Sequence, residues 1–289
     1  MRSIHIKNFV PEPKDLERTI EYLRNGEPER NKAGLKNLLE RKDEDFAFII
    51  WEIYNMERHR TFSLLQLYDY SHDKSDFTDA MQHLKTSFNA LEMLMETKNI
   101  FNTTSQEVTV MGISGKLHPR KGPLNRLAWA RYIFESISMR RPDLVERHMQ
   151  FDPEEAAQAE PKSADMARFY VEYIKGMLTP DAQHERLLRQ YTEVFAPELH
   201  PRARVALQPL YYVAIGDEVN YEKSMRVAGK AHHKAAMSNH IPFGIDQMAY
   251  PSDLIATASL AYDRHGWMLK HTNDYLPEWW IYNRFAPAS

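Results

Sequence analysis

The chain has 289 residues, of which 43% are hydrophobic and 27% charged, the composition of an ordinary globular protein with one large domain or two small ones. Its 37 Lys and Arg against 40 Asp and Glu give a formal net charge of -3, so the overall charge does not point to nucleic acid or an anionic membrane as partner. The chain contains no Cys, which excludes disulfides, thiolate nucleophiles and sulfur-ligated zinc, and which is typical of a reducing compartment.

The N-terminal segment MRSIHIKNFVPEPKD has no apolar run typical of a signal peptide. No segment of the chain approaches the roughly 20 apolar residues that span a bilayer. We therefore expect a cytoplasmic protein with no membrane partner. The first elements predicted are short helices near residues 16–23 and 35–39.

Two longer helices are predicted next. Apolar residues recur every three or four positions over residues 46–54, after an acidic turn at 43–45 that suits the positive end of a helix dipole. The same period runs through residues 77–95 and places their apolar side chains on one stripe. Between them, SHDKSD is predicted to be a polar turn in which Ser75 or Asp76 caps the second helix.

The one strand signal is EVTVMGISGKL at residues 107–117, where β-branched residues alternate with polar ones and Gly112 and Gly115 permit turning. We predict a small β-hairpin there. It divides the chain into an N-terminal helical part, residues 1–104, and a C-terminal helical-hairpin part, residues 105–289, which we expect to pack together as one domain. The basic loop LHPRKGP follows, and Pro123 suits the first turn of the next helix.

Helix starts and stops then recur at short intervals. Asp152 and Pro153 with Glu155 form an N-cap, a first-turn proline and an acidic third position, and a second cap is predicted at residues 179–181. An apolar face over residues 166–177 is matched by another over 187–195. Further on, Gly216 and Asp217 are predicted to end one helix of a hairpin and to start the other.

Short connections between such helices make neighbours antiparallel. The predicted fold is therefore all-α, an irregular array of antiparallel helical hairpins in the tetratricopeptide style, with the one small β-hairpin. No strict repeat period is visible. The aromatic tail DYLPEWW is predicted to fold back onto the last helix and to close the core, with a homodimer contact as the alternative.

The order of several short motifs resembles the immunity protein 49 family of bacterial polymorphic toxin systems, over roughly residues 75–280. The motifs are a small hairpin, GP opening a helix that carries a Trp and a later Arg, a helical hairpin with HK, and a small-residue helix that leads to YLP. We expect these signature residues to be structural. They are Gly122, Pro123, Trp129, Arg141, His233, Lys234, Tyr275, Leu276 and Pro277.

The resemblance implies a protein that is encoded next to a toxin gene and binds and neutralises that toxin, in contact-dependent or secretion-system competition between bacteria. Without a signal peptide, the protein would meet its toxin in the cytoplasm, which favours a toxin with a cytosolic target. The alternative is a helical-repeat scaffold or regulator that binds a peptide or protein in a groove between hairpins.

No catalytic set is complete in the sequence, and we expect no enzyme, no cofactor and no metal. His232 and His233 are adjacent on a helix and point about 100° apart, so one packed and one exposed histidine is favoured over a metal site with His240. His184 lacks the second histidine of a zincin motif. The group of His72 with Asp69, Asp73 and Asp76 fits a polar turn better than metal ligation.

Two charged groups are candidates for binding a partner. The basic one is favoured less than solvated helix faces with internal ion pairs. It consists of Arg120, Lys121, Arg126, Arg131, Arg140, Arg141 and Arg147. The acidic one, which would suit the basic cleft of a nuclease toxin, consists of Asp152, Glu154, Glu155 and Glu160. Direct binding of nucleic acid is not expected, because the basic group lacks the interleaved aromatic residues of a single-strand platform.

Overall fold

The computed structural model describes residues 5–6, 21–26, 29, 33–34, 36–37, 40, 46–97, 106–110, 112–117, 125–180, 182–199, 201–238 and 250–283. These residues form two compact units. The N-terminal unit comes from residues 10–121, and the C-terminal unit from residues 122–286 together with a short strand at 5–6. The β-hairpin groups with the N-terminal helices. The division at residues 104 and 105, and the packing of both parts as one domain, stay predictions.

The N-terminal unit is a helical hairpin with a β-hairpin beside it. Its main elements are α1 (Phe46–Ser71), α2 (Lys74–Thr97), β2 (Gln106–Val110) and β3 (Ile113–Leu117), after a π-turn at Tyr22–Gly26. The long helices pack along each other, β3 packs on α1, and β2 packs on α2. Gly115 of β3 lies so close to Phe46 that a Cβ atom there would clash with the Phe46 ring.

The C-terminal unit is built from consecutive helices. They are α3 (Arg126–Ser138), α4 (Pro142–Met149), α5 (Pro153–Ala159), α6 (Ala164–Leu178), α7 (His184–Gln190), α8 (Pro201–Ala206), α9 (Gln208–Ile215), α10 (Glu218–Met237), α11 (Ser252–His265) and α12 (Glu278–Ile281). Two residue pairs, β1 (His5–Ile6) and β4 (Thr272–Asn273), form a short parallel ladder. A π-turn at Tyr191–Phe195 continues α7.

The core of the C-terminal unit lies where α3 packs against α11 and α6 packs against α9. Trp129, Ile133, Val171, Tyr173 and Ile174 have no exposed surface. The apolar face predicted over residues 166–177 is the buried face of α6. The hydrophobic effect makes burial of side chains of this size the main stabilising contribution of the unit.

The predicted fold class is confirmed. The described chain is mainly α-helical, and the hairpin predicted at 107–117 is present as the antiparallel pair β2–β3, with Gly112 at a left-handed φ of 76° in its turn. The helices predicted around residues 46–54 and 77–95 are present as α1 and α2. None of the helices in the described ranges is both long and apolar enough to cross a bilayer.

Several predicted features fall partly or wholly outside the described residues. The acidic turn at 43–45 and the basic loop with Pro123 lie outside them entirely. The helices predicted near 16–23 and 35–39 are described at only a few positions.

The predicted cap between α1 and α2 is wrong. Asp73, rather than Ser75 or Asp76, holds the start of α2, because its carboxylate accepts hydrogen bonds from the Ser75 backbone N–H at 2.9 Å and hydroxyl at 2.8 Å. The Asp76 side chain is buried and accepts hydrogen bonds from the Ser71 hydroxyl at 2.7 Å and from Arg24 at 3.1 Å. The sequence contains several residues that could cap α2. Because the Asp76 side chain is buried and bound to Ser71 and Arg24, Asp73 is the one that caps the helix.

The cap predicted at residues 179–181 is also wrong. Thr179 ends α6, since its backbone N–H donates to the carbonyls of Lys175 and Gly176, and its hydroxyl donates to the Lys175 carbonyl at 2.9 Å. The next helix begins only at His184. Asp181 lies outside the described residues.

The helical hairpin α9–α10 turns where the sequence predicts. Gly216 ends α9 in the left-handed region, with a φ of 74° that costs glycine little because it has no Cβ. Asp217 then caps α10, accepting a hydrogen bond from the Asn220 backbone N–H at 3.0 Å. The helix pair is therefore specified by local interactions.

Candidate functional site

The acidic group surrounds the start of α5. The Asp152 carboxylate accepts a hydrogen bond from the Glu154 backbone N–H at 3.0 Å, so Asp152 is the predicted N-cap. Glu154 forms an ion pair with Arg168 of α6, whose Nη2 lies 3.0 Å from Glu154 Oε2. The hydrogen bond from Arg168 lowers the pKa of the Glu154 carboxyl. Glu155 is half-buried and also has interactions within the chain.

The two charged candidate groups meet at one ion pair. The Arg126 guanidinium contacts the Glu160 carboxylate, and the Arg126 backbone N–H donates to Glu160 Oε1 at 3.1 Å. Both side chains are mostly buried, at 15% and 20% exposure. The pair ties the start of α3 to the end of α5, and it leaves less net charge for a partner than either residue would present alone. Arg120 and Lys121 lie outside the described residues.

The signature tryptophan anchors α3 to α4. Trp129 has no exposed surface, its indole N–H donates to the His148 carbonyl at 3.1 Å, and its ring stacks on Phe151 with 5.6 Å between centroids. Arg141 stands at the N-terminal cap position of α4 and makes two hydrogen bonds to Asp143, at 3.0 and 2.8 Å. These bonds from Arg141 lower the pKa of Asp143 to about 2. Gly122 and Pro123 lie outside the described residues.

The two adjacent histidines of α10 have different surroundings. His232 is fully buried, accepts a hydrogen bond at Nδ1 from Arg202 at 3.3 Å, and meets the ring of Tyr275 edge to face at 4.8 Å. His233 is half-buried, and its Nδ1 lies 3.1 Å from the Tyr275 hydroxyl. Lys234 is exposed. Both histidines therefore contact Tyr275 of the tail, His232 through its ring and His233 through Nδ1, while Nδ1 of His232 is taken up by Arg202.

The YLP motif forms the turn that returns the chain to α10. Tyr275 and Leu276 are buried, at 0% and 2% exposure. The Tyr275 backbone N–H donates to the Asn273 side chain at 3.1 Å, and Leu276 N–H donates to the Asn273 carbonyl at 2.9 Å. Pro277 precedes α12 with extended backbone. The motif joins β4 to the last helix.

Replacing Tyr275 by Phe should test this contact. The change removes one hydroxyl that lies 3.1 Å from His233 and keeps the ring on His232. We expect the free energy of unfolding to fall by about 1 kcal/mol, the typical net contribution of one hydrogen bond, in urea titrations followed by circular dichroism. The matched change Tyr262→Phe, at a ring that packs on Tyr282, should leave it unchanged. Equal losses in both variants would contradict the assigned role of the hydroxyl.

The guanidinium of Arg140 holds the C-terminal tail. Arg140 donates to the carbonyls of Trp280 at 2.9 Å and of Ile281, and its Nε lies 3.0 Å from the carboxylate of Asp263. The indole N–H of Trp280 in turn donates to the Ser138 carbonyl at 3.2 Å. The predicted return of the tail to the core is confirmed for Trp280, which is 2% exposed. Phe285 lies outside the described residues.

A metal site finds no support in the part of the chain that the structure describes, where no group of three His, Asp or Glu side chains could hold an ion. His184 Nε2 lies 3.1 Å from the carbonyl oxygens of Gly176 and Thr179. Because a carbonyl oxygen only accepts hydrogen bonds, Nε2 must be protonated to bind either of them, and it is then not free to bind a metal. His72 is exposed in the turn after α1, at a left-handed φ of 54°. His240 lies outside the described residues.

One further surface, the exposed side of α10, was not predicted from the sequence. The side of α10 that faces solvent carries three lysines and three apolar residues, at spacings of three and four. We call this set the α10 face: Val219, Lys223, Val227, Lys230, Lys234 and Met237. The period is visible in the sequence, but only the structure shows which side of the helix is buried.

Comparison with known proteins gives one match. A family model described as Immunity protein 49 matches residues 77–280, which is more than half of the chain. No curated protein and no solved structure matches.

Proposed function

The chain belongs to the immunity protein 49 family, and we propose that it binds one cognate bacterial toxin and neutralises it by stoichiometric protein–protein inhibition. The family match over residues 77–280 is the observation that carries the proposal. An immunity protein of this kind acts by occupying its toxin, so the relevant features are rigid surfaces rather than a catalytic centre.

The architecture of the C-terminal unit is compatible with such a role. Two of its signature residues are engaged in packing and hydrogen bonds: Trp129 joins α3 to α4, and Tyr275 joins the tail to α10. A frame that is already ordered loses little conformational entropy on binding, which favours tight complexes. The binding residues would then lie on the surface that this frame supports.

We further propose that the toxin gene is adjacent to the gene for this protein, that the two proteins meet in the cytoplasm, and that they serve competition between bacteria. The acidic group at α5 and the basic group around residue 120 are proposed contacts. Because Glu154 and Glu160 are paired with Arg168 and Arg126, we expect them to contribute less than free carboxylates would. A homodimer contact through the aromatic tail is a separate proposal.

Co-expression tests the neutralisation directly. Cells that produce the toxin encoded by the adjacent gene should grow only when this protein is also produced. An unrelated toxin with the same type of activity serves as the control for specificity and should remain lethal. Failure to rescue from the adjacent toxin, with both proteins present at comparable levels, would refute the proposed function.

A titration of toxin activity in vitro separates binding from catalysis. Stoichiometric inhibition should remove activity in proportion to the protein added, reaching zero near one equivalent. An enzyme that modifies the toxin or its product would act at amounts far below one equivalent, and inhibition would grow with time. The shape of the titration therefore distinguishes an inhibitor from an enzyme without knowledge of the interface.

A further inference from the structure

The α10 face is a continuous exposed stripe along the longest helix of the C-terminal unit. With about 100° of rotation per residue, its six residues lie within an arc of about 80°. From Val219 to Met237 the stripe is about 27 Å long, at a rise of about 1.5 Å per residue. The opposite side of α10, which includes Tyr221, Met225 and His232, is buried in the unit.

The apolar members of the stripe are unusually exposed. Val219, Val227 and Met237 have 63%, 51% and 55% of their surface accessible to solvent. Single exposed apolar residues are normal on a protein surface, but here three share one helix face with lysines between them. Long lysine side chains cover apolar surface with their stems while their ammonium groups remain in water, so such a face keeps the free protein soluble.

The acidic residues of α10 do not neutralise these lysines. Glu218 forms an ion pair with Lys270 of the tail. Glu222 is buried, where its carboxylate lies 2.6 Å from His271 Nδ1 and accepts a hydrogen bond from the Lys270 backbone N–H at 3.2 Å. Among the described residues, Lys230 and Lys234 make no ion pair, while Lys223 is near enough to the Asp217 carboxylate to help lower its pKa. Residues of the tail therefore bind the carboxylates of Glu218 and Glu222, and the ammonium groups of the α10 face remain exposed to solvent.

We propose that the α10 face is the docking surface for an acidic, partly apolar patch of the cognate toxin. This inference rests on the proposed function and adds to it the location and charge of the contact. Lys230 and Lys234, which make no ion pair among the described residues, attract a negatively charged surface and raise the rate of association. The apolar residues of the face supply the area that is desolvated in the complex. The buried side of α10 keeps the helix rigid, so the stripe is presented in one geometry.

Charge reversal tests the electrostatic part of the proposal. The double variant Lys230→Glu with Lys234→Glu should weaken binding of purified, catalytically inactivated toxin about tenfold or more at low salt, with less effect at high salt. The control is Arg186→Glu with Arg189→Glu, which changes the net charge equally at exposed positions of the same unit. That control should bind the toxin within about twofold of the unmodified protein, because it changes no charge on the α10 face.

A second pair of variants tests the apolar part. Val227→Asp should weaken toxin binding about tenfold or more, because it places a charge within the desolvated contact. Val194→Asp is the matched control, since Val194 has a similar exposure of 57% but lies outside α10. Circular dichroism melts of all four variants check that each remains folded.

The outcomes separate this inference from the proposed function. If the unmodified protein does not bind the toxin, the proposed function fails. If it binds and both α10 variants bind equally well, the function stands and the docking surface is refuted. The docking surface is also refuted if the α10 variants lose binding to phosphatidylserine vesicles or to duplex DNA while their toxin affinity is unchanged, because the face would then serve a membrane or nucleic acid.

Discussion

Replacing Trp129 by Ala is expected to lower the free energy of unfolding by about 3–5 kcal/mol, the cost of removing a large aromatic side chain from a core. Trp129 has no exposed surface, stacks on Phe151, and donates its indole N–H to the carbonyl of His148. Its loss would leave a cavity between α3 and α4 and a buried carbonyl without its donor. Urea titration followed by circular dichroism measures the change.

Two further variants on the same helix give the controls. Trp129→Phe keeps much of the ring packing and loses the indole donor, so we expect a smaller loss than with Ala. Leu127→Ala removes an apolar side chain that is 42% exposed and should change the free energy of unfolding by less than about 1 kcal/mol. If Trp129→Ala were no worse than Leu127→Ala, the residue would not anchor the core.

Acidification below pH 6.5 is expected to destabilise the folded protein through one buried histidine. Burial, with a smaller contribution from the charge of Arg147, lowers the pKa of His148 from 6.5 to about 4. The His148 Nε2 has no hydrogen-bond partner among the described residues, so the folded protein holds this ring in its neutral form. In the unfolded chain the ring returns to its ordinary pKa and binds a proton more readily.

The direction of the stability change depends on whether the folded or the unfolded state binds the proton at His148. Between about pH 6.5 and about pH 4 the unfolded chain is protonated at His148 and the folded protein is not, so the stability falls as the pH is lowered through this window. The difference between the pKa of 6.5 in the unfolded chain and about 4 in the folded protein corresponds to a loss of about 3 kcal/mol in the free energy of unfolding at the acidic end of this window. Well above pH 6.5 this residue contributes no pH dependence, because it is protonated in neither state.

Comparison of variants isolates the contribution of His148 from that of the carboxylates. His148→Phe keeps an aromatic ring near Tyr132 and removes the titrating group, so its stability should vary less with pH between 4 and 6.5 than that of the unmodified protein. His72→Asn, which removes a histidine at an exposed turn, should retain the original dependence. Parallel stability curves for the unmodified protein and His148→Phe would contradict the assignment.

Much of the fold could be predicted because it depends on interactions between near neighbours in the sequence. The stripes of α1, α2 and α6 follow from the 3.6-residue period. The hairpin β2–β3 follows from alternation around Gly112, and the caps at Asp152 and Asp217 follow from side chains that reach a backbone N–H two or three residues ahead. Where several residues were able to cap, as at the start of α2, the local pattern was not sufficient.

The candidate surfaces depended on contacts that the sequence does not encode locally. Arg126 and Glu160 were assigned to opposite charged groups, yet they form one ion pair across 34 residues. Glu154 is paired with Arg168 of the next helix. A charge count along the chain cannot separate free ammonium groups from paired ones, which is why the α10 face became visible only in the structure.

By itself, the sequence determined the all-α class, the short β-hairpin, the helix ends at Gly216 and Asp217, and a resemblance to a family that the match over residues 77–280 confirms. Only the tertiary structure decided which faces are buried, which charges are paired, and how the tail returns to α3, where Arg140 donates to a carbonyl 140 residues away. The parallel pairing of residues 5–6 with 272–273 is likewise decided only by the tertiary structure. The physical reason is that helix periods and caps are set by neighbours within a few residues, whereas distant partners are chosen by the packing of the whole unit.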